Sequence, residues 1–380
     1  MIVARYLSNG SPDSSFGNNG AAVVDGGSTY DECVSLLLMP DGKIMAVGDA
    51  GYLLLARFTA QGGIDSSYGV NGKVITNIGN NAGDLCVRAG LQSDGKPIVL
   101  CRIDGEYPYT MVRFTIKGVV DSSFGINGIT GTKSYMNSSL FGNTMLVQPD
   151  DKVILAGYSS NSRGIQNAFM SRYLKNGKRD PDFGTSGLVF LNDKSRKYFY
   201  ALAQQNDGKI IAAGCQADKY GNEDALISRY TLSGMPDSSF GTNGFTINAF
   251  EGYHGRIISL CIQQDGKIVS GAPESLNAFI LRYNADNAQP FFSKKPGLAI
   301  LACEIKISPN PVNNQLQLTG LSAKETSSLI ISDLNGNVKM QQQVTITNYT
   351  WMVSQLPRGI YVLSVQTKSK PITSINFIKK

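Results

Sequence analysis

Side chains able to do chemistry are few in this 380-residue chain, and their spacing does not bring them together. His254 is the single imidazole, in "EGYHGR", and no GxSxG string supplies a nucleophile for it, so it reads as a loop residue rather than a catalytic base. Glycoside hydrolysis needs two carboxylates facing one bond. Asp25 lies at a strand end, and Glu106, Glu223, Asp224 and Glu251 are scattered through loops with nothing to pair them. Six cysteines (33, 86, 101, 215, 261, 303) show no CxxC, and with one His they offer no metal-ligand spacing. They read mainly as small buried hydrophobes, although Cys86 and Cys101 can face each other across one hairpin. No Gly-rich loop opens a helix to cradle phosphate. The expectation is no metal and no cofactor.

Tyr and Asn remain. Tyr30, Tyr107, Tyr109, Tyr135, Tyr198, Tyr200, Tyr220, Tyr253 and His254, with Asn80, Asn81 and Asn161, fall in segments that differ from one repeat to the next. Tyr beside Asn suits stacking on and hydrogen bonding to sugars, and equally suits protein contacts. The competing reading is that loops tolerate polar residues and that some of these rings pack between sheets.

The elements that carry these residues recur. The aromatic of "DSSFG" falls at Phe16, Tyr68, Phe124, Phe183 and Phe240, spaced by 52, 56, 59 and 57 residues. "DGK" recurs at 41–43, 94–96, 207–209 and 265–267, and as "DDK" at 150–152. Arg followed by Tyr or Phe stands at Arg5, Arg57, Arg113, Arg172, Arg229 and Arg282. A self-similar period in the fifties means one supersecondary unit repeated side by side. Each unit divides into four strand-sized pieces, in the second unit "GKVIT" (a), "LCVRAGLQ" (b), "KPIVLC" (c) and "YTMVRF" (d). Strand c is apolar on both faces ("KIMAVG", "KVILAG", "KIIAAG") and must be covered on both sides. Radially stacked four-stranded sheets do that, so the expected fold is all-β, a propeller of about five to six blades. Strand a is taken as innermost, and the b–c turn as a two-residue Asp-Gly hairpin.

From Arg to the Asp of "DSSFG" the spacing is eight residues in every unit: Arg5–Asp13, Arg57–Asp65, Arg113–Asp121, Arg172–Asp180 and Arg229–Asp237. This is read as the crossing from strand d to strand a, with Asp capping the turn and pairing with Arg, and the aromatic plugging between blades. Calcium binding needs more converging oxygens than one or two Asp per turn supply. Because strands alternate in direction, the variable a–b and c–d loops share one end and the repeated turns share the other. Repeat proteins place variable insertions on a binding face.

The composite "RY…DSSFG…NG…Q.DGKI..AG" over roughly 1–290 resembles the delta-60 repeat family, which implies exported, propeller-like proteins mostly without assigned activity. Residues 304–380, after a linker at 291–303, resemble the type A sorting domain of the type IX secretion system of Bacteroidetes-type bacteria. The resemblance rests on "KISPNPVNNQLQL", "LIISDLNGNVKM", "LPRGIYVLSV" and "FIKK", that is on Pro309, Asn310, Pro311, Gly336, Gly359, Tyr361, Lys379 and Lys380. Ser308 departs from it, standing where that family often has an aromatic. The resemblance implies an Ig-like β-sandwich, an encounter with the type IX machinery, and a secreted or surface-anchored product. Alternating short strands and the Asn335-Gly336 turn agree.

The charge of +6 is concentrated in that tail, where eight Lys/Arg face three Asp/Glu, while the first 303 residues are close to neutral. No basic patch interleaved with aromatics supports nucleic-acid binding. No stretch of about 20 apolar residues is present to span a membrane. Type IX cargo also needs an export signal, and "MIVARYLSNG" enters the repeat directly, so a truncated N-terminus is expected. The function read from the sequence is a secreted, non-catalytic binding or adhesion module for glycan or protein. An extracellular enzyme on glycans and a purely structural surface protein are the alternatives.

Overall fold

The computed structural model describes residues 1–78, 85–102, 110–131, 138–162, 164–191, 195–249, 255–273, 278–284, 306–308, 310–319, 321, 326–333, 336–346, 348–366 and 373–380. The chain forms two compact units, Met1–Phe292 and Ser293–Lys380. No helix occurs among the described residues.

In the first unit β1 (Ile2–Ala4) pairs with β2 (Ala21–Val23). Four antiparallel meanders follow: β3 (Glu32–Leu38), β4 (Ile44–Asp49), β5 (Leu53–Phe58), β6 (Lys73–Thr76); β7 (Leu85–Leu91), β8 (Pro97–Arg102), β9 (Thr110–Arg113), β10 (Ile129–Gly131); β11 (Ser138–Val147), β12 (Val153–Asn161), β13 (Gln166–Tyr173), β14 (Leu188–Leu191); β15 (Arg196–Gln204), β16 (Ile210–Ala217), β17 (Glu223–Tyr230), β18 (Phe245–Asn248). A fifth sheet has β19 (Ser259–Ile262), β20 (Ile268–Pro273) and β21 (Ala278–Tyr283) among the described residues.

The sheets are cut differently from the sequence units. Each runs b–c–d and then takes strand a of the next unit: Ala56 of β5 pairs with Lys73 of β6, and Ser228 of β17 with Phe245 of β18. The "DSSFG" string therefore joins two neighbours within one sheet, and is not a crossing between sheets. Strand b, not a, is innermost, because β3, β7, β11, β15 and β19 lie against one another from sheet to sheet.

Turn chemistry also differs from expectation. In the b–c turn only the Gly is left-handed (Gly42 φ 79°, Gly95 φ 79°). Gly42 N–H donates to Met39 O and Met39 N–H to Lys43 O, a three-residue loop with a type I turn. The turn with two positive φ angles lies inside the repeated string, at Asn71-Gly72 (51° and 85°) and Asn127-Gly128 (54° and 92°).

Between consecutive sheets sits one apolar core, and each contains one aromatic of the string. Tyr68 packs between the first and second sheets, Phe124 between the second and third, Phe183 between the third and fourth, and Phe240 between the fourth and fifth. All four are fully buried.

The second unit contains β22 (Lys306–Ser308), β23 (Gln315–Thr319), β24 (Ser327–Asp333), β25 (Val338–Val344), β26 (Asn348–Met352), β27 (Gly359–Gln366) and β28 (Thr373–Lys379). They form two sheets, ordered 22-23-26 and 25-24-27-28. Alternation puts Leu316, Leu318 and Trp351 of one sheet and Leu329, Ile331, Leu363 and Val365 of the other into a single core.

Candidate functional site

At the end holding the repeated turns, the four four-stranded sheets of this unit build the same clamp. Arg57 Nε donates to Asp65 Oδ2 at 2.7 Å, Nη2 to Ser67 Oγ at 2.9 Å, and Nη1 to Ile116 O of the next sheet at 2.7 Å. Its guanidinium lies 4.7 Å over the Tyr68 ring, and Lys43 Nζ of the b–c turn reaches Asp65 at 3.1 Å. Arg113 repeats this with Asp121 (2.9 Å), Ser123 (2.8 Å), Lys175 O (2.7 Å) and Phe124 (4.7 Å). Arg172 does so with Asp180 (2.8 Å), Leu232 O and Phe183 (4.6 Å), and Arg229 with Asp237 (2.8 Å), Ser239 (2.9 Å) and Phe240 (4.7 Å). Although partial burial works to raise the Asp237 carboxyl, Ser239, Lys209 and Arg229 hold it down at about 2. Each carboxylate thus meets two cations. Among the described residues no group of three or more His, Cys, Asp or Glu gathers as for a metal ion.

At the opposite end the sheets differ, and aromatic side chains of the third and fourth sheets form a row. Phe141 near the start of β11 stacks on Tyr158 of β12 at 4.8 Å and 12°. Tyr158 meets Tyr198 of β15 edge-on at 5.1 Å, and Tyr198 stacks with Tyr200 at 6.2 Å. Arg256 lies 5.0 Å over the Tyr200 ring. Its Nε and Nη2 donate to the Glu223 carboxylate at 2.9 and 2.5 Å. Gly255 N–H to Glu223 O (2.7 Å) and Ile257 N–H to Gly214 O (3.1 Å) fix the backbone on either side. Tyr198 OH donates to Gln166 Oε1 at 2.5 Å. The rings are half-buried, and burial pushes the Tyr200 phenol up, so it stays a neutral donor. Arg256 is held charged first by its hydrogen bond to Glu223. Stacking faces, phenols, an amide and a fixed guanidinium stand side by side at the start of the inner strands.

Of the residues picked from sequence, Tyr198 and Tyr200 belong to this row. Tyr30 (87% exposed) and Tyr220 (78% exposed) stand apart on turns. Tyr107, Tyr109, Tyr135, Tyr253 and His254 lie outside the described residues, as do Asn80 and Asn81. Glu223 is not the unpaired loop carboxylate expected, since it starts β17 and is ion-paired with Arg256. Phe141, Tyr158, Gln166 and Arg256 were missed by sequence reasoning. They come from four segments, and the only signal was aromatic residues near the variable end of each strand. A cavity of about 480 Å3 runs along the outer strand of the third sheet past Asn167, Leu188, Phe190 and Met235, and none of the row lines it.

In the second unit Asn310 Oδ1 accepts from Ile378 N–H at 2.9 Å, Val312 N–H donates to Ile378 O at 2.7 Å, and Lys380 N–H to Val312 O at 2.9 Å. The Pro-rich entry and the last strand are thereby tied together. Tyr361 stacks on Phe377 at 5.7 Å and donates to Pro357 O at 2.9 Å. Gly336 (φ 85°) closes the β24–β25 turn onto Asp333, Gly359 opens β27, and Lys379 ends β28; Pro309 and Asn335 lie outside the described residues.

Residues 306–380 match the secretion system C-terminal sorting domain, and residues 1–16, 40–68, 148–183 and 205–240 match a β-propeller domain of unknown function (DUF5122). This chain is a β-propeller protein with a type IX sorting tail. Its location is accordingly outside the cell or on its surface, and its tail is the part that meets the type IX machinery. No curated protein matches it. Among solved structures, PorZ, a surface component of the type IX secretion system of Porphyromonas gingivalis, is 13% identical at a TM-score of 0.38 over 94% of this chain and 53% of PorZ. The propeller protein thus spans about half of that relative's length. The polysaccharide lyase Uly1 is 10% identical at 0.41, over 90% of this chain and 76% of the lyase. Drosophila semaphorin 1a is 8% identical at 0.40, over 91% and 79%. No helix among the described residues is long and apolar enough to cross a membrane.

Proposed function

We propose that this exported propeller is a non-catalytic binding module that takes a glycan at its variable end, on the row Phe141, Tyr158, Tyr198 and Tyr200 with Gln166 and Arg256 beside it. The observation that carries the reading is the row itself. Polar-tipped rings gather at the mouth of the inner strands, whereas the aromatics of the repeated string are all consumed in cores. Such rings offer sugar C–H faces a stacking surface and their hydroxyls a hydrogen-bond partner, at little cost in side-chain entropy. Glu223 supports binding over hydrolysis, because its carboxylate is already committed to Arg256.

The test is a glycan array probed with the full chain, followed by calorimetry on any hit. Saturable binding that falls at least tenfold in both Tyr198→Ala and Tyr158→Ala, with unchanged melting of the first unit, is the expected result. Folded protein that binds nothing on the array would remove the glycan and leave a protein ligand for the same end.

A further inference from the structure

In four sheets the pairing of first and second strands carries a bulge at one position, after Cys33, Cys86, Gly142 and Phe199. In the first, third and fourth sheets the residue just before it faces a glycine, Cys33 opposite Gly48, Gly142 opposite Gly157 and Phe199 opposite Gly214, and the fifth sheet sets Ser259 opposite Gly271. Space explains the glycine. A Cβ on Gly48, Gly157 or Gly214 would lie 1.9, 1.8 or 2.0 Å from the carbonyl oxygen of Glu32, Phe141 or Tyr198. The second sheet alone departs, by placing Cys101 in the glycine's position, directly opposite Cys86. Both side chains are buried in the same core, and both are thiols in this structure.

Residues directly opposite in an antiparallel pair have Cα atoms about 4.5–5.5 Å apart, inside the ~4.4–6.8 Å that a disulfide spans. Opposed side chains also leave the sheet on the same face. The sorting tail sends this chain through the periplasm to the cell surface, where disulfides form and persist.

We propose that Cys86 and Cys101 are a modification site, closing a disulfide across β7 and β8 during export. The Cys86 or Cys101 thiolate attacks the disulfide of a periplasmic thiol–disulfide oxidoreductase, giving a mixed disulfide. The second cysteine then attacks that bond, so the S–S bond forms within the hairpin. Two electrons and two protons pass to the carrier, which leaves as a dithiol. The exchange belongs to the folding chain. Once the core closes, burial, with Asp49 and Cys33 nearby, raises the Cys86 thiol and suppresses the thiolate. The same burial then shields the finished bond from reductant.

The experiment uses the full chain exported to a bacterial periplasm, denatured in N-ethylmaleimide without reduction, digested and weighed. The expected result is one linked pair of peptides carrying Cys86 and Cys101, lighter by two hydrogens than their reduced sum, with Cys33, Cys215, Cys261 and Cys303 alkylated. In a parallel melt, reductant should lower the midpoint of the wild type and leave that of Cys101→Gly unchanged. That variant restores the residue used in the other sheets and is expected to fold. Full alkylation of Cys86 and Cys101, a Cys33–Cys86 link, or equal response of wild type and Cys101→Gly to reductant would each overturn the assignment.

Discussion

At the turn end of the propeller Arg57, Arg113, Arg172 and Arg229 meet the same partners, an Asp eight residues on and an aromatic ring beneath; at the other end Arg256 meets Glu223 and Tyr200 in an arrangement not repeated among the described residues of the other sheets. Both are arginine–carboxylate pairs stacked on a ring, so the difference lies in surroundings. The clamp guanidiniums are 4 to 8% exposed, and those of Arg57, Arg113 and Arg172 cross to the next sheet, while Arg256 is 43% exposed. A desolvated clamp that ties two sheets is a fold element. The same chemistry with its guanidinium half in water is what the proposed glycan site would use.

The sharpest way to break that distinction is to delete one arginine from each end. Removing one partner of a buried, hydrogen-bonded pair costs about 3–5 kcal/mol, because the other charge is left uncompensated. Arg113→Ala leaves Asp121 to Lys96 and Ser123 and the Lys175 carbonyl to Gln92 alone, and should lower unfolding free energy in urea by about 3 kcal/mol, the low end of that range. Arg256→Ala should cost less than Arg113→Ala, because its guanidinium is 43% exposed even though Glu223 is only 13% exposed. Equal losses would mean that the row is as structural as the clamp.

Acid separates the ends next. The clamp carboxyls are held below their ordinary range, Asp237 at about 2, against an unfolded value of about 3.9. The folded state therefore binds fewer protons than the unfolded state in that interval. Stability from these groups is complete above about pH 4 and is lost as pH falls towards 2. Asp237→Asn should flatten the fall in melting temperature between those values. An unchanged profile would show that the clamp does not set acid sensitivity.

A smaller effect tests how sheets are stitched where the repeat itself breaks. Asp151 stands where the other b–c turns have Gly, at φ 64°. Its carboxylate takes Ser93 N–H and Ser93 Oγ–H from the preceding sheet, both at 2.6 Å, and Lys175 Nζ at 2.6 Å. Hydrogen bonds to a charged group contribute about 1.5–3 kcal/mol, and the left-handed backbone costs a non-glycine residue about 1–2 kcal/mol, less for Asp. Asp151→Gly loses the first and relieves the second, for a net loss near 1 kcal/mol. Asp151→Ala keeps the strain, loses the bonds, and should be clearly worse.

Much of the turn end was legible, because its contacts are local: Arg57 and Asp65 are eight residues apart, and a fixed interval reports a fixed geometry. Where one sheet stops and the next begins was not. A periodic string is the same string whether cut before strand a or after it, and only pairing such as Ala56 with Lys73 decides the cut. The Asn-Gly and Asp-Gly signals were both turns, but which one took two left-handed residues depended on the strands they joined. The row was legible only at Tyr198 and Tyr200. Phe141 and Arg256 are 115 positions apart in the chain and meet the same surface only after three sheets have stacked.

The smallest expected effect concerns Tyr220, on the β16–β17 turn of the variable end. That turn is built without its ring. Asp218 Oδ1 accepts from Tyr220 N–H (2.7 Å) and Asn222 N–H (3.0 Å), Asp218 Oδ2 from Asn222 Nδ2 (2.8 Å), and Gly221 supplies the left-handed residue at φ 88°. The ring itself is 78% exposed, with Lys219 Nζ above it at 4.8 Å. Tyr220→Ser should therefore change unfolding free energy by less than about 0.5 kcal/mol, within the range of ordinary surface changes. A loss above 1 kcal/mol would mean that the variable loops are packed as tightly as the clamps, and the contrast between the two ends would fail. With stability unchanged, any loss of ligand affinity in Tyr220→Ser belongs to contact and would extend the proposed binding surface beyond Tyr198.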